Sequence, residues 1–242
     1  LKKKYNFIVI FDEVYTGWGK VGYAFSFNRF PKYVPDIVTF SKSFGGGKSS
    51  ISGFIANKDI FSKVYELDKN AFLHTTTYNG FGEESVTALE ALNILSDPEF
   101  KVKVNKLSDL LNKNLSIIQE KHQDKVDKIK GTGILNGIVF KSYSSTLGSI
   151  MEKLPINFIR DKAFFIKKLT ATAISSELYK SFDILTYIND SSISNHLVIA
   201  PSLVIKEVDV EYFFKSLDEC LSKGINLKTV ELVINAVKSV VK

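Results

Sequence analysis

Short apolar runs separated by glycine-rich or polar segments dominate the first sixty residues, a pattern typical of the strands of an α/β sheet. The run Ile8-Val9-Ile10-Phe11 predicts a strand over residues 7–12, and two more strands are predicted over residues 35–40 and 51–56. The first run does not alternate between apolar and polar side chains. We therefore expect that strand to be buried on both faces, as in the middle of a parallel sheet.

Apolar residues three and four positions apart predict amphipathic helices in the middle and in the last part of the chain. The predicted helices cover residues 58–67, 82–96, 99–122, 161–180 and 207–223. Further strands are predicted over residues 126–129, 133–140 and 196–200. Loops are predicted over residues 143–154 and 189–192, and an extra amphipathic segment over residues 225–242.

These elements predict an α/β fold with two domains. We expect residues 1–124 to form part of a large domain that ends in a long connecting helix, and residues 125–242 to form a small C-terminal α+β domain. Ligands of open α/β sheets bind at the carboxyl ends of the strands. The residues that follow the first two strands are therefore the first candidates for a site.

Charge and cysteine content exclude several classes of protein. The 242 residues carry a net charge of +6, but the only arginines are Arg29 and Arg160. Contacts to phosphates and bases favour arginine, so we expect no nucleic-acid partner. The single cysteine, Cys220, fits a reducing compartment, and we expect a cytoplasmic protein. No apolar run reaches the roughly 18 residues of a membrane span, so we expect no membrane partner.

A carboxylate and an amine follow the first two predicted strands. Asp12 ends the first strand, and Lys42 follows the second and precedes the turn Gly45-Gly46-Gly47. A lysine amine forms an imine with an aldehyde cofactor, and a carboxylate holds the ring nitrogen of such a cofactor protonated. Pyridoxal phosphate needs both groups, so the pair predicts amine chemistry if both side chains face one pocket.

We expect both side chains to be at least partly buried. Phe11 and Val14 flank Asp12 closely, and a buried carboxylate needs a cationic partner, which a pyridinium nitrogen supplies. Burial of Lys42 would favour its neutral, nucleophilic form.

A threonine-rich segment, His74-Thr75-Thr76-Thr77-Tyr78-Asn79-Gly80, precedes a predicted helix. Its three hydroxyls suit a phosphate group, as do the amides of a helix N-terminus; alternatively, the segment is a strand followed by a helix cap. His122 and His196 have no partner nearby in the sequence, and we expect them to be structural or surface residues. The spacing typical of metal sites is absent from the sequence, so we expect no metal.

Five segments in this order resemble the class III aminotransferases, which are pyridoxal-phosphate enzymes of fold type I. Residues 11–22 resemble the motif D-E-V-Q-T-G-F-G-R-T-G, and residues 35–47 resemble P-D-I-(V/L)…K-A-L-G-G-G. Residues 74–80 resemble H-x-T-T-F-x-G, residues 131–138 resemble R-G-x-G-L-x-x-G-I, and residues 200–205 resemble P-P-L-x-I. The motifs are most similar to those of the ornithine, acetylornithine and putrescine aminotransferases.

The resemblance implies a role for each matching residue. Lys42 forms the Schiff base with pyridoxal phosphate and later moves a proton, while Asp12 pairs with the pyridinium nitrogen. Val14 packs on the ring, Tyr15 stands where the family has a glutamine that contacts the ring oxygen, and Thr77 donates to the phosphate across a dimer interface. The implied reaction moves an amino group from an amino acid or ω-amine to a 2-oxo acid, in a homodimer.

The chain departs from the family pattern at several positions. Lys20 replaces an arginine, Ser50 and Ser52 replace a proline and a glycine, and residues 81–84 differ from the family's G-N-P. Two acids there favour the helix dipole but repel a nearby phosphate. Residues 197–198 lack an arginine that many members use, so recognition of a substrate carboxylate is not explained.

The family's N-terminal half is not found upstream of Leu1. We therefore expect one of three cases: the sequence is a fragment, a separate chain supplies that half, or the gene product is degenerate. Two further readings stay open: an aminomutase or racemase on the same fold, and a non-catalytic remnant of the family.

Overall fold

The computed structural model describes residues 1–66, 68–70, 72–80, 82–141, 162–190 and 195–222. The chain divides into two compact units, Leu1–Lys106 and Leu107–Lys242. This division falls inside a long helix, Pro98–Lys121. The domain boundary predicted between residues 124 and 125 stays a prediction.

The first unit contains a three-stranded sheet. Its strands are β1 (Ile10–Asp12), β2 (Ile37–Phe40) and β3 (Gly53–Ala56), in the order β1-β2-β3. β1 and β2 run parallel, with Asp12 beside Thr39, and β3 pairs antiparallel with β2. All three strands were predicted from the apolar runs, although each is shorter than its run.

β1 is not the doubly buried strand that its sequence predicts. Ile8 and Ile10 are 56% and 58% exposed. β1 lies at the edge of the sheet, and only β2 pairs with it among the described strands, so it is not the central strand that was predicted. The apolar side chains of β1 therefore lie on a surface of this unit.

Four helices belong wholly or in part to the first unit, and each predicted one is present. They are α1 (Lys2–Tyr5), α2 (Lys58–Tyr65), α3 (Gly82–Ser96) and α4 (Pro98–Lys121). α2 begins where the Asn57 side chain accepts a hydrogen bond from the Asp59 N–H at 2.9 Å, and α4 begins where Asp97 accepts one from the Glu99 N–H at 2.8 Å. Such N-caps satisfy amides that have no partner inside the helix.

The second unit is a four-stranded antiparallel sheet covered by helices. Among the described residues its strands are β4 (Val126–Thr132), β5 (Leu135–Phe140), β6 (Tyr187–Asp190) and β7 (Asn195–Ile199), in the order β4-β5-β7-β6. The described helices of this unit, besides the end of α4, are α5 (Lys162–Phe182) and α6 (Glu207–Ser222). Every residue of β5 is buried. Ile138 of β5 pairs with Leu197 of β7, and both are 0% exposed, as are Ile174 of α5 and Leu217 of α6.

The loop predicted over residues 189–192 is wrong for its first half. Asn189 and Asp190 belong to β6, where they pair with His196 and Asn195 of β7. Asparagine and aspartate favour turns, but here the ladder to β7 overrides that preference. Residues 191–192, the loop predicted over residues 143–154 and the amphipathic segment predicted over residues 225–242 lie outside the described residues.

His122 ties the end of α4 to α6. The ring is buried, and its Nε2 lies 2.7 Å from Asp218 Oδ1, while Lys121 Nζ donates to Asp218 Oδ2 at 2.6 Å. The hydrogen bond from Lys121, followed by that from His122, holds the pKa of Asp218 below its ordinary range. The partner of His122 is 96 residues away in the sequence, so it was not visible there.

No helix among the described residues is long and apolar enough to cross a membrane. The same residues contain no group of three or more His, Cys, Asp or Glu side chains that could hold a metal ion.

Candidate active site

The carboxyl ends of β1 and β2 bring the two predicted chemical groups to one edge of the first unit's sheet. Asp12 is the last residue of β1 and lies beside Thr39 of β2. Lys42 follows β2 by two residues and begins a short 3-10 turn, Lys42–Gly45. Since parallel strands end at the same edge, both residues lie where ligands of α/β sheets bind.

Asp12 is oriented by hydrogen bonds rather than by burial. Its Oδ1 accepts hydrogen bonds from the Val14 N–H at 3.0 Å and from the Thr39 hydroxyl at 3.2 Å. Asp12 is exposed, and no described strand pairs with the outer edge of β1. The prediction of a partly buried carboxylate is therefore wrong. Oδ2 makes no hydrogen bond to a described residue, which leaves one oxygen of a fixed carboxylate for a ligand.

Lys42 has an uncommon backbone conformation. Its φ is +48°, in the left-handed region that non-glycine residues rarely adopt and that often marks functional positions. Gly46 closes the turn with φ +62°, and a Cβ there would lie 3.3 Å from the Ala91 side chain of α3. Lys42 is exposed, so the prediction that it is buried is wrong. Its Nζ forms no hydrogen bond or ion pair with a described residue.

Tyr15 connects the Lys42 turn to the loop that follows Asp12. The Lys42 Nζ lies 5.6 Å from the centroid of the Tyr15 ring, within the range of a cation–π contact. Val14 lies between Asp12 and Tyr15 and is half-buried. The structure thus brings four of the five predicted site residues to one edge of the sheet.

Thr77 is the predicted site residue that these contacts do not include. It lies in an exposed turn, where Thr76 donates a hydrogen bond to Asn79 at 3.0 Å. No hydrogen bond or ring contact of the described residues joins Thr77 to Lys42 or Asp12. The segment is a turn, so the alternative of a threonine-rich strand is wrong.

Glu13 is a functional candidate that sequence reasoning missed. It is 2% exposed, and its carboxylate accepts hydrogen bonds from the Thr16 hydroxyl, from the Ser26 hydroxyl at 2.5 Å and from the Phe27 N–H at 3.1 Å. These bonds hold the glycine-rich loop against the end of β1. The sequence offered one signal for this role: Thr16 stands three positions after Glu13, a spacing at which a hydroxyl and an acid often form a local hydrogen bond.

An aromatic cluster supports the Lys42 turn from below. Trp18 of the glycine-rich loop stacks on Phe44 of the turn, with ring centroids 4.6 Å apart, and meets Phe40 of β2 edge-on at 5.5 Å. Phe40 and Phe44 also meet edge-on at 4.7 Å. The loop after Asp12 and the turn of Lys42 therefore share one packed aromatic core. In the same loop, burial lowers the pKa of Lys20.

A comparison with models of protein families shows the family of this chain. The family model described as "Aminotransferase class-III" matches residues 1–221. The chain belongs to the class III aminotransferases. The resemblance drawn from the five sequence motifs is thereby confirmed, as is the α/β fold of a partial fold type I enzyme.

Curated and structural relatives of this chain are described as aminotransferases. An uncharacterized aminotransferase of Schizosaccharomyces pombe is 24% identical over 222 residues, which are 91% of this chain and 42% of that protein. The Plasmodium falciparum ornithine δ-aminotransferase structure has 21% identity and a TM-score of 0.68, covering 93% of this chain and 48% of that one. The chain therefore spans less than half the length of these relatives.

A further solved structure, taurine:2-oxoglutarate aminotransferase from Bifidobacterium kashiwanohense, is described as a complex with PLP and glutamate. It has 20% identity and a TM-score of 0.72, covering 93% of this chain and 46% of that one. At such identities the structural matches establish the fold, while the family assignment rests on the match over residues 1–221.

Proposed function

We propose that this chain is the lysine-bearing part of an aminotransferase that moves an amino group from an amino acid or ω-amine to a 2-oxo acid with pyridoxal phosphate. The observation that carries the proposal is the parallel pairing of β1 and β2, with Asp12 beside Thr39 and Lys42 three residues further. This pairing supports an acid and an amine acting on one small ligand.

The side chains present fit pyridoxal phosphate. The Asp12 carboxylate has one oxygen committed to Val14 and Thr39 and one available, which suits a protonated ring nitrogen. The Lys42 amine is exposed and unpaired among the described residues, which suits covalent attachment of an aldehyde. The glycine turn after Lys42 allows the backbone to approach a ligand closely.

Each residue has a distinct task in the proposed reaction. Bound pyridoxal phosphate supplies an electron sink for the substrate's α-carbon. Asp12 Oδ2 holds the proton on the ring nitrogen, and Lys42 Nζ first anchors the cofactor and then carries a proton as a general base. Val14 would pack on the ring, and the Tyr15 hydroxyl would donate to the ring oxygen in place of the family's glutamine.

Thr77 belongs to the proposal through a second subunit. Its hydroxyl makes no hydrogen bond within the described part of the chain, and its turn is exposed. We infer that Thr77 donates to a cofactor phosphate held by the partner in a homodimer. The exposed apolar residues of β1 support a further partner, the remaining half of the enzyme, carried on the same chain or on a separate one. The cytoplasmic location stays a prediction.

The first test is a spectroscopic titration with pyridoxal phosphate. We expect an absorbance band near the visible edge that borohydride bleaches. The Lys42→Ala variant should lose it, whereas the matched control Lys48→Ala, an exposed lysine of the same glycine turn, should keep it. A band that survives Lys42→Ala, or no band in any variant, would contradict the proposal and favour the non-catalytic remnant.

The second test separates reaction classes. An aminotransferase passes the amino group to an added 2-oxo acid, so ¹⁵N from a labelled amino donor should appear in the amino acid formed from that acid. An aminomutase retains the label on the carbon skeleton of the donor.

A further inference from the structure

A cavity of about 340 Å³ lies in the first unit, between the glycine-rich loop and the helices α3 and α4. Trp18 and Tyr23 of the loop, Leu92 of α3 and Phe100 of α4 are among its walls. The volume falls in the lower part of the roughly 300–1,000 Å³ range of small-molecule sites. None of the five residues proposed to serve the cofactor lines this cavity, so it is separate from the candidate active site.

Two polar side chains at the cavity, those of Lys101 and Asn28, can donate hydrogen bonds. Lys101 holds its ammonium 5.1 Å from the centroid of the Tyr23 ring and forms no ion pair with a described residue. Asn28 accepts the Phe25 N–H through Oδ1 at 3.0 Å, which leaves its NH₂ group as a donor. Among the residues that the structure describes, no acidic side chain lines the cavity. This composition favours an anionic ligand over a neutral or cationic one.

Trp18 is among the residues that line the cavity, but it adds no polar contact there. It is 7% exposed, and its Nε1 is buried without a hydrogen-bond partner among the described residues. Because Nε1 has almost no accessible surface, a molecule in the cavity does not reach this donor unless the indole moves. The preference for an anion therefore rests on Lys101 and Asn28.

We propose that the cavity binds a small arylalkyl carboxylate. The apolar part packs among Trp18, Leu92 and Phe100, and the carboxylate pairs with the Lys101 ammonium and the Asn28 amide. Binding is non-covalent and needs neither pyridoxal phosphate nor an amino donor. The proposal can therefore succeed or fail independently of the proposed reaction.

Trp18 also places this site next to the Lys42 turn. Trp18 is one of the lining residues, and its indole ring stacks on Phe44, which belongs to the turn that Lys42 begins. Trp18 is the only tryptophan of the chain, so its fluorescence reports on the cavity without mutation.

The test is a fluorescence titration of the full 242-residue chain with three probes. 4-Phenylbutyrate should change the Trp18 emission saturably, whereas 4-phenylbutanol, which lacks the charge, should bind about tenfold more weakly, a factor typical of one charge-assisted pair. Acetate, which lacks the apolar part, should have no effect at the same concentrations. Equal affinities for the acid and the alcohol, or no saturable response to 4-phenylbutyrate, would overturn the proposal.

Two variants and one control locate the site. Lys101→Met should remove the preference for the acid over the alcohol, while Lys103→Met, an exposed lysine of the same helix outside the cavity, should leave it unchanged. Ala24→Leu fills part of the cavity and should weaken binding of both aryl probes. An unchanged preference in Lys101→Met would overturn the proposed carboxylate contact, and that variant tests it even if Ala24→Leu does not fold.

Discussion

The two units of this chain differ in where their apolar side chains lie. In the second unit every residue of β5 is buried, and the largest fully buried side chains of the described residues all belong to that unit. In the first unit, large apolar side chains are exposed along β1, β3 and α3, including Ile10 at 58%, Ile55 at 54% and Val86 at 69%. The second unit therefore has a core of its own, whereas the first leaves much of its apolar surface uncovered.

This difference agrees with the partial length of the chain. The curated relative from Schizosaccharomyces pombe matches over 42% of its length, so more than half of that protein has no counterpart here. The unit with the uncovered sheet is also the one that carries Asp12 and Lys42. We infer that the proposed chemistry lies on the first unit, whose apolar surface needs further polypeptide to cover it.

The largest expected effect comes from a matched pair of isoleucines. Ile174→Ala removes a side chain that is 0% exposed, and large-to-small changes in a packed core cost about 2–5 kcal/mol. Ile10→Ala removes one that is 58% exposed and should change the free energy of unfolding by less than about 0.5 kcal/mol. Urea denaturation followed by far-UV circular dichroism measures both. Equal costs would contradict the difference between the units.

A second effect should come from Glu13, the buried acid of the first unit. Glu13→Ala leaves the Ser26 hydroxyl and the Phe27 N–H without their acceptor, at a cost of about 2–3 kcal/mol. Glu13→Gln keeps one acceptor oxygen and should cost less. The Trp18 emission during urea denaturation reports on this loop. If both variants unfold like the unchanged chain, Glu13 does not hold the loop in place.

A smaller, pH-dependent effect is expected in the second unit. The hydrogen bonds from Lys121 and His122 lower the pKa of Asp218 in the folded state from its ordinary value of 3.8. A depressed carboxyl pKa stabilises the fold above the unfolded value, and this contribution is lost as the pH falls through the folded pKa. Asp218→Asn should therefore cost about 1 kcal/mol at pH 6.

The pH series supplies the control for that prediction. The cost of Asp218→Asn should shrink as the pH falls from about 4 through the lowered pKa of the native carboxyl. The measurement is the difference in the free energy of unfolding between the two chains. A cost that grows on acidification would contradict the assignment.

Local pattern predicted most helices and strands, because period and capping residues act within a few positions. The helices α2 and α3 and the apolar run of β5 are examples. What local pattern could not supply was pairing across the chain. β1 resembles a central strand but lies at an edge, and Asn189 and Asp190 resemble a loop but pair with β7.

The candidate site divides in the same way. Asp12 and Lys42 were predicted because each follows an apolar run, and ligands bind at such strand ends. Glu13 was missed because its acceptor role depends on Ser26 and Phe27, which lie 13 and 14 residues away. The cavity beside Trp18 depends on helices α3 and α4, which no motif connects to the loop.

The central claim is that Lys42, at the edge where Asp12 also lies, is the amine that takes pyridoxal phosphate. The most direct measurement is peptide mapping by mass spectrometry after the protein with pyridoxal phosphate is reduced with borohydride. We predict the phosphopyridoxyl group on the peptide containing Lys42, with markedly lower yield in Asp12→Ala and full yield in Lys48→Ala. Labelling spread over the exposed lysines would contradict the account, and so would a yield at Lys42 that is the same in Asp12→Ala as in the unchanged chain.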